Sequence, residues 1–339
     1  MSKVDFTKTL IIAEVGVNHN GDINIAKELI KEAALAGADI VKFQSFNTDA
    51  LVTDDAPKAQ YQIYSSSDND SNYQMLKKLE LSQNDHIKLI DQCKSQNIEF
   101  LSTAFDINNL NFLIELNMNR IKIPSGEITN LPYLEYIASF DIPVILSTGM
   151  SDIDEIKDAT NILLSNKLKR RNLSILHCTS QYPAPFKEIN LNAIPVLKNL
   201  FDVNIGYSDH TLGIEAAIAA VTLGAKIIEK HITLDTNFDG PDHKASITPS
   251  EFRKMVSAIR NIEQGLGDGH KIPSIEEIKM RNVARRSIIA SKKIEKGEML
   301  SFDNVSIMRP GNGISPMEIK KVIGTKAVKA FDKNEYIEL

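Results

Sequence analysis

The sequence predicts a (β/α)8 TIM barrel followed by a small, β-rich C-terminal domain. Three observations predict it: eight short apolar runs alternate with amphipathic segments, this alternation stops near residue 268, and short strand-like pieces with Gly and Pro turns follow. Apolar strands that alternate with helices are typical of a parallel sheet covered on both faces. Eight such units in about 265 residues favour a closed barrel over a doubly wound sheet. The turn after the first run, EVGVNHNGD, also lacks the Gly pattern of a dinucleotide-binding fold.

The predicted elements follow one another at the spacing of successive βα units. The strands are Thr9–Gly16, Ile40–Phe46, Ile98–Phe105, Arg120–Ser125, Pro143–Thr148, Leu173–Thr179, Asn204–Ser208 and Lys226–His231. The helices, in which apolar residues recur at helical spacing, are Ile25–Ala36, His86–Cys93, Leu131–Ser139, Asp154–Leu164, Ile214–Leu223 and Ser250–Leu266. The polar stretch Asn47–Leu81 has no such period and is predicted to be a long loop after the second strand.

The division into domains follows from where the barrel pattern ends. Residues 1–268 are expected to form the barrel, residues 269–286 a charged linker, and residues 287–339 the small domain, with one short helix at Met317–Val322. A domain of roughly 55 residues is near the lower limit for independent folding. We therefore expect it to lean on the barrel or on another subunit.

Composition and charge exclude several classes of protein. With 42% hydrophobic and 24% charged residues, the chain is expected to be folded and soluble. A net charge of -5 gives no basic footprint for nucleic acid or an anionic membrane. The N-terminal apolar run is too short for a signal peptide, and no uncharged stretch is long enough to span a membrane. Two cysteines, Cys93 and Cys178, fit a reducing compartment, so a cytoplasmic location is expected.

Polar side chains collect at the carboxyl ends of the predicted strands, where barrel enzymes hold their active sites. They include Glu14, Lys42, Gln44, Thr103, Lys122, Ser125, Glu127, Ser147, Ser180, Tyr182, Ser208, Asp209, His210, Glu229, Lys230 and His231. Such a concentration at one end of every strand is not expected of a purely structural barrel. The sequence therefore predicts an active site there.

Two lysines inside apolar strands, Lys42 and Lys122, are the strongest local indication of a ligand. Burying an ammonium without a partner costs several kcal/mol, so each lysine needs an anion. The hydroxyl residues that would complete a phosphate or carboxylate cradle with them are Thr103, Ser125, Ser147 and Ser208. Two alternatives stay open from the residues alone. Each lysine pairs with a structural carboxylate such as Glu14 or Glu127, or one lysine forms a Schiff base in a barrel aldolase.

His210 and His231 end neighbouring strands and are close enough to share one cation. Two imidazoles with oxygen ligands from water or substrate suit Mn²⁺ or a similar ion better than a closed zinc site. The structural alternative is a pair of hydrogen-bonded core histidines. Asp242 and His243 follow in the next loop, which is a position from which residues of a barrel enzyme can serve the substrate.

Several sequence segments occur in an order that points to one family. They are EVGVNHNGD, ADIVKFQSF, PKAQYQ, FLSTAFD, KIPSGEITNLPYL, ILSTGM, LHCTSQYPAPFKEINL, GYSDHT, IEKHITLD, GPDHKAS and RPGNGISP. Together they closely resemble the bacterial sialic acid synthases and their legionaminic acid synthase relatives, from Leu10 to the C-terminus. The resemblance implies a TIM barrel followed by an antifreeze-like (SAF) domain. It also implies a domain-swapped homodimer in which the small domain of one subunit covers the barrel mouth of the other.

The implied reaction condenses phosphoenolpyruvate with an N-acetylated mannosamine and water to give a nonulosonic acid and phosphate. The resemblance implies a divalent metal, Mn²⁺ or alternatively Mg²⁺ or Co²⁺, bound by His210 and His231, that polarises the sugar aldehyde. It implies that phosphoenolpyruvate is held by Lys42, Thr103, Lys122, Ser125, Ser147 and Ser208. It implies that Gln44, Glu127, Tyr182 and Asp242 lie near the sugar and the reacting centre.

Three further residues carry implied roles. Glu14 or Glu127, or a metal-bound water, is expected to deliver the water that attacks C2. Arg309 in RPGNG is expected to reach across the dimer to the N-acetyl group of the sugar. Ser180 lies at a position that varies within the family, so the acceptor stays open between N-acetylmannosamine and a 2,4-diacetamido-2,4,6-trideoxy-mannose.

Two other hypotheses are weaker. A pyruvate-dependent Schiff-base aldolase on the same barrel would form a pyruvate adduct on Lys42 or Lys122 and would need no metal, but the histidine pair and the hydroxyl cradle argue against it. A non-enzymatic hypothesis is ice or surface binding by the antifreeze-like tail. A fold does not carry a function with it, and the role implied for Arg309 argues against this hypothesis.

Overall fold

The computed structural model describes residues 8–65 and 70–339. The chain divides into two compact units, Met1–Gly267 and Asp268–Leu339, and each is described by itself. Residues 1–7 of the predicted barrel domain and residues 66–69 of the predicted loop lie outside the described residues.

Eight parallel strands close the first unit into a barrel in sequence order. They are β1 Leu10–Gly16, β2 Ile40–Ser45, β3 Glu99–Ala104, β4 Ile121–Ile123, β5 Val144–Ser147, β6 Leu173–Cys178, β7 Asn204–Asp209 and β8 Ile227–His231. The barrel closes because β1 pairs with both β2 and β8. All the predicted barrel strands are confirmed, with ends that differ by one or two residues.

The helices that cover the barrel begin after each strand. They are α1 Ile23–Ala36, α2 Thr48–Leu51, α3 Gln60–Ser65, α4 Asn72–Leu79, α5 Gln83–Ser95, α6 Ile107–Glu115, α7 Leu131–Ala138, α8 Ile153–Leu163, α9 Ala193–Phe201, α10 Glu215–Thr222 and α11 Pro249–Gly265. All the predicted barrel helices are present, but α6 and α9 were not predicted. Three asparagines weaken the pattern of α6, which Asp106 caps by accepting from Asn109 N at 2.8 Å. Pro195 lies in the first turn of α9, where a helix tolerates proline.

The prediction of a long irregular loop at Asn47–Leu81 is wrong, because α2, α3 and α4 lie within it. Helix α4 begins with a capping box between Ser71 and Gln74, and its Met75 and Leu79 pack on Val17 of the barrel mouth. The segment contributes few apolar residues beyond this narrow face, so its polar composition hid the helices. Helix α4 therefore forms part of the wall beside the barrel mouth.

The interior of the barrel is apolar toward the amino ends of its strands and polar toward their carboxyl ends. Its lower layer is formed by Ile12, Ile40, Leu101, Ile145, Leu176 and Ile227, all buried. Successive residues of a strand point to opposite faces, so the residue two positions further along points into the same interior. In six strands that residue is Glu14, Lys42, Thr103, Ser147, Cys178 or Glu229. Alternation along the strands thus places a polar site directly on an apolar floor.

The second unit has its own small core. It contains α12 Ile275–Ala284, the antiparallel strands β9 Ser287–Ala290 and β10 Val305–Met308, and α13 Ile319–Val322. The core is built from Ile288, Ala290, Ile294, Leu300, Val305, Val322, Ala327, Phe331 and Ile337. Helix α12 falls within the predicted linker 269–286, and the predicted helix Met317–Val322 appears as a 3₁₀ turn followed by α13. Across the ranges that the structure describes, no helix is both long and apolar enough to cross a membrane.

Candidate active site

A cavity of about 400 Å³ opens at the carboxyl ends of the barrel strands. The predicted site residues that line it are Glu14, Lys42, Gln44, Thr103, Lys122, Ser125, Ser147, Ser180, Tyr182, Ser208, His210, His231 and Asp242. They come from every strand of the barrel or from the loops that follow. The fold therefore brings together side chains that are more than 200 residues apart in the sequence.

Lys42 lies on the cavity floor beside a carboxylate. Its Nζ is 2.7 Å from Oε2 of Glu14 and 3.6 Å from Oε2 of Glu229, and it donates to Oγ1 of Thr103 at 3.1 Å. Burial by itself would lower the pKa of Lys42, but the two carboxylates outweigh it and raise this pKa above its ordinary value. The structural pairing with Glu14 that the sequence left open is present, and the same lysine lines the cavity.

Lys122 lies near the carboxylate of Glu229, which Lys42 also approaches. Its Nζ donates to Oγ of Ser147 at 2.7 Å and lies 3.9 Å from Oε1 of Glu229. Burial lowers the pKa of Lys122, and Glu229 only partly offsets it. Burial would raise the pKa of Glu229, but Lys122 and Lys42 outweigh it and lower this pKa to about 2. A carboxylate thus joins the two lysines.

Glu229 was noted at a strand end but not predicted as a site residue. It lies two positions before His231 on β8, so strand alternation points both side chains into the barrel. This alternation of inward and outward residues along the strand was the sequence signal that could have identified Glu229 as a site residue. Tyr61 of α3 and Cys178 of β6 also line the cavity without having been predicted for the site.

Two carboxyl groups of the cavity have raised pKa values. Burial raises the pKa of Glu14 to about 7, against an opposing effect of Lys42, and it raises the pKa of Asp242 to about 6. Oδ2 of Asp242 lies 3.8 Å from Nδ1 of His231. Both groups are therefore able to take up and give up a proton near neutral pH.

His210 and His231 are adjacent at the cavity wall, with ring centroids 5.5 Å apart. Nδ1 of His210 donates to the carbonyl of Thr179 at 2.7 Å, and its Nε2 has a long hydrogen bond with Oγ of Ser208, at 3.5 Å. Burial and the neighbouring His210 hold the pKa of His231 well below its ordinary value. Nδ1 of His231 is buried and finds no hydrogen-bond partner among the described residues. Each ring thus presents a nitrogen that is able to accept a ligand.

Another feature of the cavity wall is the close approach of two serine side chains to Gly149. N–H of Gly149 donates to Oγ of Ser125 at 2.9 Å. A Cβ at this position would lie 2.1 Å from Oγ of Ser180 and 2.8 Å from Oγ of Ser125. Gly149 therefore lets these two predicted substrate-binding serines approach one another.

Within the barrel unit, one predicted site residue, Glu127, does not line the cavity. Oε2 of Glu127 instead accepts from Nδ2 of Asn130 at 2.6 Å, beside the start of α7. Arg309 lies in the second unit, just after β10, and is exposed. Their roles remain predictions.

The outer part of the cavity differs from its floor because much of its wall is apolar. The apolar residues are Val17, Ala59, Met75, Leu76, Leu79, Phe105, Pro124, Met150 and Pro241. Tyr61 and Tyr182 add stacked rings, with centroids 4.8 Å apart, and the Tyr182 ring lies 4.2 Å from that of His210. The cavity therefore offers a charged inner part for one group and an apolar outer part for another.

Comparison with known proteins gives concordant matches. The model of the NeuB family matches residues 29–271, and that of the SAF domain matches residues 285–338. An N,N'-diacetyllegionaminic acid synthase of Campylobacter jejuni is 51% identical over 97% of this chain and 99% of its own length. One of Legionella pneumophila is 47% identical over 93% and 89%. The crystal structure of an N-acetylneuraminic acid synthetase of Leptospira borgpetersenii with citrate superposes with a TM-score of 0.72, at 37% identity over 82% of this chain and 93% of that one.

The fold and the cavity define an enzyme on a (β/α)8 barrel with a charged pocket at the barrel mouth. The chain belongs to the NeuB family and carries an SAF domain at its C-terminal end. It is an enzyme of the sialic acid synthase type, so the resemblance in the sequence motifs is confirmed.

Proposed function

We propose that this enzyme condenses phosphoenolpyruvate and water with a 2,4-diacetamido-2,4,6-trideoxy-mannose, releasing phosphate and N,N'-diacetyllegionaminate. The observation that carries the proposal is the pair of buried lysines on the cavity floor, beneath two imidazoles and an apolar wall. The reaction type follows from the family. The acceptor, the metal and the roles of individual residues are our proposal.

The cavity floor suits the anionic substrate. Lys42 and Lys122 act as point charges toward the phosphate and carboxylate of phosphoenolpyruvate. Thr103 and Ser147 each accept a hydrogen bond from a lysine, so their own hydroxyl protons remain available to a ligand. Glu14 and Glu229 offset part of the positive charge of the lysines, which lowers the cost of burying two ammonium groups before the substrate arrives.

A divalent metal fits the histidine pair. Among the described contacts, Nδ1 of His231 is buried and has no hydrogen-bond partner. Nδ1 of His210 donates to the carbonyl of Thr179, which orients the ring, and its Nε2 has a long contact with Oγ of Ser208, at 3.5 Å, which a metal ion would replace. Within the described ranges, no three His, Cys, Asp or Glu side chains are grouped as a metal site. Two protein ligands leave open positions for water and substrate oxygens, which favours Mn²⁺ or a similar ion. When bound, such an ion would polarise the aldehyde of the sugar.

Proton movement is proposed for the two carboxyl groups with raised pKa values. Glu14 lies beside Lys42, whose ammonium holds the anionic substrate, and it accepts from Nε2 of Gln44 at 3.3 Å. This position suits a base that removes a proton from the water attacking C2. Asp242 lies nearer the histidines and suits the sugar hydroxyls. Both groups change protonation close to neutral pH, as a general acid or base requires.

The choice of acceptor rests on the outer wall and on the relatives. A 6-deoxy sugar presents a methyl group where N-acetylmannosamine has a hydroxymethyl group, and its 4-acetamido group adds a second methyl. Leu76, Met75 and Phe105 give such methyl groups an apolar surface. The two relatives with 51% and 47% identity are both named N,N'-diacetyllegionaminic acid synthases.

Assembly and location complete the proposal. We propose a homodimer in which Arg309 of one subunit binds the acetamido group of a sugar held by the other, as the family resemblance implies. We also propose a cytoplasmic location.

The test is a phosphate-release assay with phosphoenolpyruvate and Mn²⁺, run with N-acetylmannosamine and with its 2,4-diacetamido-6-deoxy analogue. We expect release with both substrates present and a higher kcat/KM for the diacetamido sugar. Preference for N-acetylmannosamine would overturn the acceptor. Trapping of a pyruvate adduct by borohydride, with no need for metal, would instead identify a Schiff-base aldolase.

A further inference from the structure

Each proposed metal-binding histidine directly follows one member of a buried ion pair. Asp209 precedes His210, and Lys230 precedes His231. Nζ of Lys230 lies 2.8 Å from Oδ2 of Asp209, and neither residue is exposed. The pair lies outside the cavity, and the reaction as proposed does not use it.

The register of the sheet explains this arrangement. Asp209 on β7 is the partner of Lys230 on β8, and Ser208 is the partner of Glu229. Ser208 and Glu229 point into the barrel, so Asp209 and Lys230 point outward, toward the layer of helices. The next step returns His210 and His231 to the cavity. The ion pair therefore links β7 to β8 at the residues that directly precede the two histidines.

The same pair also holds the chain that follows His210. Oδ1 of Asp209 accepts from N of Thr211 at 2.9 Å and from its Oγ1 at 2.8 Å. Nζ of Lys230 donates to the carbonyl of Thr211. Residues on both sides of His210 are thus fixed to the side chain that precedes His231.

Packing against the helices would not by itself require the charged side chains of Asp209 and Lys230. Apolar residues of similar volume often stabilise a core as well as or better than a buried ion pair does. What the ion pair adds, together with the hydrogen bond from Lys230 to the carbonyl of Thr211, is a fixed distance and angle between two backbones. Groups that hydrogen-bond to metal ligands typically change metal affinity 10–100-fold when they are removed, and we expect an effect of similar size from a pair that fixes the backbone next to both ligands.

We propose that Asp209 and Lys230 are positioning residues that set the spacing of His210 and His231 for a divalent cation. This inference rests on the proposed metal site. It assigns to the pair no contact with either substrate.

The test measures Mn²⁺ binding by the full-length protein, without substrates, from the loss of the free-ion EPR signal. Asp209→Asn keeps the shape and the bonds from Thr211 but removes the charge, and Lys230→Met removes the ammonium. We expect Mn²⁺ affinity to fall at least 10-fold in each variant, whereas phosphoenolpyruvate affinity without metal changes less than threefold. The double variant restores charge balance and should regain stability but not Mn²⁺ affinity.

A matched control is the half-buried ion pair of Arg120 and Glu99, whose Nε and Oε1 are 2.7 Å apart at the other end of the barrel. Arg120→Met should leave Mn²⁺ affinity unchanged. If Asp209→Asn and Lys230→Met lower only the free energy of unfolding, with Mn²⁺ affinity within twofold of wild type, the pair is merely structural and the inference is overturned. Absence of Mn²⁺ binding in the wild-type protein would overturn the metal site itself. If neither single variant folds, the charge-balanced double variant Asp209→Asn/Lys230→Met is measured in their place, and Mn²⁺ affinity within twofold of wild type in that variant would overturn the inference.

Discussion

Glu14 and Lys42 are partners across strands β1 and β2, and their Oε2 and Nζ atoms are 2.7 Å apart just above the apolar floor of the barrel. Glu229 approaches the same ammonium from the other side, at 3.6 Å. One lysine therefore serves two purposes, because it neutralises buried carboxylates and faces the cavity.

The variant Lys42→Met separates these two purposes. It leaves Glu14 and Glu229 without this cation, and breaking a buried pair typically costs about 3–5 kcal/mol. We expect that loss in urea unfolding and at least a 100-fold weaker affinity for phosphoenolpyruvate by calorimetry. The double variant Glu14→Gln/Lys42→Met should recover much of the stability. If it also recovered substrate affinity, Lys42 would not be a substrate cation.

Leu76 of α4 tests the apolar wall of the cavity. Leu76→Asn replaces a half-buried apolar group by an amide, and a single methyl contact in a pocket is worth roughly 10-fold or more in specificity. We expect kcat/KM for the diacetamido sugar to fall about 10-fold relative to that for N-acetylmannosamine. Ile87→Asn, on the exposed side of α5, is the control. An unchanged ratio would remove α4 from the specificity argument.

The proposed role of Arg309 in a neighbouring subunit is tested by mixing inactive chains. Arg309→Ala should lose sugar binding, and His210→Ala should lose metal-dependent turnover, while both keep the wild-type circular dichroism. After subunit exchange, each heterodimer contains one site that has both intact residues. At statistical exchange half the dimers are heterodimers, and one of the two sites in each is intact. Activity should therefore return to as much as about one quarter of wild type. Verified exchange without any recovery would contradict action across the dimer.

His19, a buried histidine outside the cavity, is expected to make the free energy of unfolding depend on pH. His19 is not exposed, and burial, then His86 and His243, lower its pKa to about 4. The unfolded chain, with a histidine pKa near 6.5, therefore binds more protons than the native chain between these values. The contribution of His19 is complete above pH 6.5 and is lost as pH falls through 4.

The variant His19→Asn removes this titration and retains an acceptor for N–H of Gly21, which donates to Nδ1 at 3.0 Å. Urea unfolding followed by far-UV circular dichroism suits a chain without tryptophan. Between pH 7.5 and 4.5, wild type should lose on the order of 2–3 kcal/mol more than the variant. His270→Asn, at an exposed histidine, should behave like wild type. Parallel curves for wild type and His19→Asn would contradict the assignment.

The barrel and most of its site residues were predictable because their causes are local. Buried parallel strands are apolar on both faces, so each strand appears as a short run whose end is visible in the sequence. The closed barrel gathers those ends at one mouth, which is why Lys42, Lys122 and His210 were predicted to lie together. The strand ends also displayed Glu229, but its inward direction follows only from counting alternate residues back from His231.

The sequence by itself determined the closed barrel, the place of the cavity and the family, because the periods of strands and helices and the family motifs are written along the chain. Only the tertiary structure decided which charges meet. Lys122 lies near Glu229 and not Glu127, since Glu127 turns toward Asn130. Three helices in the segment 47–81 and the tie between Asp209 and Lys230 were likewise decided there. Pairing between side chains depends on register and on which face of a strand is buried, and both are fixed only when the sheet closes.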